Sequence, residues 1–190
     1  MKKNALLLIL WLLTNLLLAQ NTPFTRAYKL YGDPMNTMNN FRQTSDHGFV
    51  LSSDHILQGP DSAGITTYGT LVKLDANGQQ IWSTRYPKIA CYHPPRDASP
   101  ITQAADGGYA IASAEYYCSG NFFGHNRILL IKTDTAGIIN WAKSCPGPGI
   151  SFANCIQSTN DHGYILVGMT RDTSFGGDGD CNYIIKTDSL

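Results

Sequence analysis

From Phe24 onward the chain is written in short runs of alternating apolar and polar residues, separated by small clusters of Gly, Asp and Asn. A period of two is the pattern of a half-buried β-strand. Phe24-Thr-Arg-Ala-Tyr-Lys-Leu-Tyr31 has it, as do Ile81-Trp-Ser-Thr-Arg-Tyr86 and Ile139-Asn-Trp-Ala-Lys-Ser144. A second kind of segment reads as a hairpin. Phe41-Arg-Gln-Thr-Ser-Asp46-His-Gly48-Phe49-Val-Leu-Ser-Ser53 places Asp-His-Gly between two strand-like runs. Those turn residues are expected to supply the positive φ angles of a tight connection.

Both kinds of segment recur. The hairpin returns as Ile101–Ser113 around Asp106-Gly-Gly108-Tyr109, and as Cys155–Gly168 around Asp161-His-Gly163-Tyr164. The run Leu71-Val-Lys-Leu-Asp75-Ala-Asn-Gly78-Gln-Gln-Ile-Trp82 returns as Arg127–Trp141 and begins again at Tyr183-Ile-Ile-Lys-Thr-Asp188. Gly48, Gly108 and Gly163 lie 60 and 55 residues apart, and Lys73, Lys132 and Lys186 lie 59 and 54 apart. Two landmarks with one period describe a repeated unit.

Each unit reads as four strands: into Asp-x-Gly, out of it, into Lys-x-Asp, and out toward Trp. The connection between the second and third strands varies, holding Asp54–Tyr68, Glu115–Asn126 and Arg171–Cys181. A four-stranded meander at this period is the signature of a propeller blade. The predicted fold is all-β, a β-propeller-like array of about three four-stranded antiparallel blades, partial or truncated. The units span about residues 33–86, 98–144 and 152–190, with 24–31 an orphan strand. That strand either completes the third unit or caps the first blade of a longer array. Open strand edges at both ends would invite pairing with another chain.

Composition agrees with strands. Glu115 is the only glutamate beside thirteen aspartates, and Gly, Tyr, Thr and Ser are abundant, whereas helix surfaces favour Glu, Lys, Ala and Leu. Residues 1–19 stand apart. Lys2 and Lys3, the apolar run from Ala5, and Ala19 before Gln20 form a signal peptide. The competing reading is a membrane anchor, but a spanning helix wants roughly 20 apolar residues. No cysteine follows Ala19 to carry a lipid. Residues 20–190 then form the exported repeat domain, with 12 basic and 14 acidic residues and no further apolar span. Nothing in it is a basic footprint for nucleic acid.

The motifs Asp-[Gly/His]-Gly-[Tyr/Phe] and Lys-[Thr/Leu]-Asp-x-x-Gly-x-x-x-Trp, at this period, resemble the repeats of secreted bacterial β-propeller proteins. In that family the repeats often precede a sorting domain for the type nine secretion system. The resemblance implies a secreted or cell-surface location and supplies little about ligands. Quinone-binding propellers are similar in part, with Leu74-Asp75-Ala-Asn-Gly78 one residue short of their spacing. The sialidase Asp box is a third likeness, its Trp following Gly more closely.

Candidate chemistry is sparse. Asp75, Asp134 and Asp188 are expected to accept backbone N–H groups in their own turns, and Trp82 and Trp141 to pack between blades. Lys73, Lys132 and Lys186 are expected in repeated surface or inter-blade pairs, and His47 and His162 in turns. Asp172, Asp178 and Asp180 in a Gly-rich segment offer oxygen ligands to Ca²⁺, against an ordinary turn. No other cofactor is expected. Five cysteines in an exported chain favour disulfides, with Cys145–Cys155 the first candidate pair and Cys91–Cys118 the second. Tyr116, Tyr117, Phe122, Phe123 and His125 form the exposed aromatic surface most suited to a protein or carbohydrate partner, unless they pack the loop on its own blade. No nucleophile elbow, phosphate loop or catalytic acid pair appears. A non-enzymatic binding or spacer module is therefore expected. The alternative is a propeller enzyme or quinoprotein with a central-channel site.

Overall fold

The computed structural model describes residues 23–28, 36–58, 65–88, 99–116, 126–145, 150–171 and 180–188. Among these residues the protein is all-β. Strands β1 (Asn36–Gln43), β2 (Phe49–Gln58), β3 (Ile65–Leu74) and β4 (Gln80–Lys88) make the first antiparallel sheet in simple sequence order. The second repeats the meander with β5 (Ile101–Gln103), β6 (Tyr109–Tyr116), β7 (Asn126–Thr133) and β8 (Ile139–Ser144). The third holds β9 (Ile150–Ser158), β10 (Tyr164–Arg171) and β11 (Asp180–Lys186). The sheets remain separate and do not close into one another.

The third sheet has three described strands, as expected for a third unit lacking its fourth strand, and β11 is an edge. One expectation needs correction: of the orphan strand expected at 24–31, residues 29–31 lie outside the described residues and residues 24–28 join no sheet. They run across the turn end of the first sheet, where Tyr28 hydroxyl donates to the Gly78 carbonyl and Arg26 to that of Asn77 at 3.1 Å. Side-chain contacts with this turn hold the segment.

The core lies between sheets. Val50, Leu71 and Tyr86 of the first sheet interdigitate with Ile101, Tyr109, Ile111, Leu129 and Ile131 of the second. Ala110, Ala112, Ile128 and Leu130 of the second meet Ala153, Ile156, Tyr164 and Leu166 of the third. The middle sheet is therefore covered on both faces. That is why β7 reads as the unbroken apolar run Ile128–Ile131, where a strand with one wet face would alternate.

Bulges re-aim side chains between these cores. On β4, Lys73 pairs with Trp82 and Leu74 with Gln80, leaving Ile81 as the extra residue. On β8, Lys132 pairs with Trp141 and Thr133 with Ile139, leaving Asn140. Residues two apart normally share a face, but the extra residue separates them. Ile139 thus packs on the core toward the first sheet and Trp141 on the core toward the third.

A third bulge, at Asn154, overturns the expected Cys145–Cys155 bridge. Val167 pairs with Cys155 and Gly168 with Ala153, so Asn154 is the extra residue. Ser151 and Ala153 point inward, then the phase flips: Ile156 enters the core and Cys155 is turned out. Cys145 is buried in the core between the second and third sheets. Both are free thiols. Cys91 and Cys118 lie outside the described residues.

Candidate functional site

The polar chemistry of the described residues gathers where the Asp-x-Gly turns meet the ends of the third strands. In the first sheet, Lys73 Nζ donates to Thr44 Oγ1 at 3.1 Å, to Asp46 Oδ1 at 3.1 Å and to the Leu74 carbonyl at 2.9 Å. In the second, Lys132 Nζ donates to Asp106 Oδ1 and Oδ2 at 2.9 and 2.7 Å and to the Thr133 carbonyl at 2.7 Å. In the third, Lys186 Nζ donates to Asp161 Oδ2 at 2.7 Å and to the Thr187 carbonyl at 2.6 Å. Each lysine ties its own sheet's first hairpin to its third strand. The pairs lie within one sheet, where a surface or inter-blade pairing was expected.

An ammonium has three donors, and on Lys73 and Lys132 all three are used inside the fold. Their side chains are 5% and 8% exposed, whereas the partner carboxylates are 59% exposed. The Lys186 side chain is 43% exposed, and among the described residues no further sheet packs on that side.

The carboxylates respond accordingly. The Thr44 hydroxyl, then Lys73 and the Gly48 N–H, overcome a burial cost and hold Asp46 at about 2. Burial raises Asp106, but Lys132 and the Gly108 N–H together bring it below the usual carboxylate range. Lys186 leads the Thr159 hydroxyl and the Gly163 N–H in holding Asp161 low.

The expected positive φ is present in these turns, at His47 (63°), Gly107 (85°) and His162 (64°). The locks explain the repeated glycine that follows it. Gly48, Gly108 and Gly163 are required by space. A Cβ at Gly108 would sit 2.1 Å from the Thr133 carbonyl oxygen and 2.8 Å from Lys132 Nζ. The other two glycines meet the same pair of atoms in their own sheets. Here the backbone must come close to a buried lysine, and no side chain fits between them.

The other repeated carboxylates act locally. Asp75 Oδ1 accepts the Asn77 and Gln79 N–H groups at 2.8 and 2.7 Å. Asp134 Oδ1 accepts those of Ala136 and Ile138 at 2.9 and 2.8 Å. Asp188 is exposed at the third equivalent position. Trp82 meets Tyr109 edge to face at 5.8 Å and lies on Gly137, where a Cβ would be 2.6 Å from its ring. Phe24 repeats this seat one sheet earlier. Its ring meets Phe49 edge to face at 6.1 Å and lies on Gly78, where a Cβ would be 2.3 Å away. The sequence signal for that equivalence is the shared position of Phe49 and Tyr109 after Asp-x-Gly.

The first strands of the sheets come together as well. β5 touches both β1 and β9. Arg42 Nη2 of β1 lies 3.8 Å from Cys155 Sγ of β9, and the Ser45 N–H donates to Gln103 Oε1 of β5 at 2.8 Å. Arg42 was not anticipated from the sequence, since its position in the recurring hairpin holds a different residue in each copy.

The expected binding and calcium positions fall largely elsewhere. Tyr117, Phe122, Phe123, His125, Asp172 and Asp178 lie outside the described residues. Tyr116 ends β6 opposite Asn126, and Asp180 begins β11 opposite Arg171. Among the described residues no cluster of His, Cys, Asp and Glu is arranged to hold a metal. No helix of the described residues is long and apolar enough to cross a membrane. No protein-family model matches the chain, and no curated protein matches it.

Proposed function

We propose that this protein is an exported, non-enzymatic β-propeller-like repeat module that presents its variable loops to a protein or glycan partner at the cell surface. The observation that carries this reading is the full use of the repeated polar groups inside the fold. Lys73 and Lys132 spend every donor on turns and strand carbonyls, and Asp75 and Asp134 each accept two backbone N–H groups on Oδ1. An ammonium so engaged has no donor left for a substrate. Stacked sheets whose first strands converge support the propeller-like arrangement. The segment at residues 1–19 supports export.

In each meander the tight turns and the locks share one end, and the connection between second and third strands leaves from the other. Recognition is assigned to that second end, where the three connections differ in sequence. The test is a glycan array and a cell-surface cross-linking capture, run beside hydrolase assays on model glycosides and a cofactor absorbance spectrum. Binding that disappears when residues 117–125 are replaced by a Gly-Ser linker, without turnover or absorbance, is expected. Turnover of a glycoside, or a bound quinone chromophore, would overturn the reading in favour of an enzyme.

A further inference from the structure

Two faces of this chain are halves of an interface that the chain itself forms twice. On the first sheet, Ser52 pairs across strands with Leu71, and both are 0% exposed because the second sheet covers them. On the second, the corresponding pair is Ala112 and Leu130, at 2% and 3% exposure, covered by the third sheet. On the third, the corresponding pair is Val167 and Ile184, and these are 43% and 64% exposed. The strand sequence Tyr183-Ile184-Ile185 is as apolar as that of its buried counterparts.

The opposite face shows the reverse. What covers Ser52 and Leu71 includes the cross-strand pair Ile101 and Ile111, each 0% exposed. What covers Ala112 and Leu130 includes the pair Ile156 and Leu166, at 0% and 1%. The equivalent pair on the first sheet is Phe41 and Leu51, where Phe41 is 62% exposed and Leu51 half-buried. Among the described residues, the third sheet thus presents a forward face that no other sheet covers, and the first sheet a rear face that packs on no other sheet, where Val72 and Leu74 are buried beside Tyr28 and Phe49.

The aromatic contact between units is already made on that rear face. Where sheets meet inside the chain, a fourth strand brings Trp82 or Trp141 onto the next unit. The third sheet has no described fourth strand, but Phe24 already occupies the matching seat on Phe49 and Gly78. A sheet that lacks the aromatic can therefore dock on a face that already holds one.

We propose that the chain self-associates head to tail, with the Val167–Ile184 face of one copy packing on the Phe41–Leu51 face of a second. The contact is heterologous, so each copy keeps one free face until the assembly closes. This inference does not depend on what the loops bind.

The test is sedimentation velocity on the purified chain over a concentration series, with Phe41→Lys and Ile184→Lys as variants. Both residues are exposed, so far-UV CD and the urea midpoint of each variant should match the wild type. Val167→Lys serves in place of Ile184→Lys if that variant does not fold. The wild type is expected to associate, and each variant alone to weaken association by about thirtyfold or more, as expected for a charge placed in the centre of an apolar contact. Mixing the two variants should restore a dimer that grows no further, because the mixture holds one intact copy of each face. A wild-type chain that stays monomeric to about 100-fold above a micromolar dissociation constant, or assembly unaffected by the variants, or a mixture without dimer, would overturn the proposal.

Discussion

Removing the exposed partner of the second lock should cost more stability than removing the buried one. Lys132 Nζ is held by Asp106 at 2.9 and 2.7 Å and by the Thr133 carbonyl at 2.7 Å, on a side chain 8% exposed. In Asp106→Ala the ammonium stays buried with one neutral acceptor. Stranding a fully buried charge costs about 3–5 kcal/mol. Because the carboxylate here is 59% exposed, water reaches the vacated position, and the expected cost falls to about 2–3 kcal/mol.

In Lys132→Met the charge leaves with the side chain, and methionine retains most of the apolar stem. The Asp106 carboxylate keeps water and the Gly108 N–H at 3.0 Å. Only the Thr133 carbonyl loses its partner, at about 1–2 kcal/mol. The double variant should therefore cost less than the sum of the singles by about 1 kcal/mol or more. Urea denaturation at unchanged slope gives the three values. Single costs that add within about 0.5 kcal/mol, or a larger loss in Lys132→Met than in Asp106→Ala, would refute the reasoning.

Other consequences are as direct. His47 holds φ of 63°, a conformation glycine adopts without the Cβ penalty, so His47→Gly should raise stability by about 0.5–1 kcal/mol in the same assay. With Asp46 at about 2 and Asp106 and Asp161 also lowered, folding gains from their ionisation. Each gain is complete above the unfolded carboxyl value of about 4 and is lost as pH falls toward the folded value. Thermal midpoints should thus be flat near neutrality and fall between about pH 4 and pH 2, less steeply in high salt; a midpoint that rises on acidification would contradict the locks. Cys155 is exposed, whereas Cys145 is buried and pushed up to about 11 by that burial. An aromatic disulfide reagent should label Cys155 in the native protein and Cys145 only on unfolding, as peptide mapping will show.

The strands and their turns were legible because the motifs that encode them are local. Asp75 lies within four residues of the N–H groups it accepts, so its turn can be read from a short window. The locks were half legible. Their lysines and aspartates recur in register, but they meet across 25 to 27 residues of chain, and only the strand pairing between them shows that they touch.

Phase was the least legible property. A single extra residue at Asn154 reverses the facing of Cys155, and the sequence around it keeps no mark of a bulge. Phe24 was read as part of a strand because its run alternates. Whether a segment enters a sheet depends on pairing with another strand, which periodicity does not report.

The central claim is that the repeated aromatic and glycine landmarks dock one unit on the next. Nuclear magnetic resonance of Gly137 tests it most directly, since its Cα lies beneath the Trp82 ring, where an added Cβ would be 2.6 Å away. The Gly137 Hα resonances should be shifted upfield by the indole, show cross-relaxation to its ring protons, and move back toward ordinary values in Trp82→Leu. Gly137 resonances that are the same in both proteins would contradict the claim.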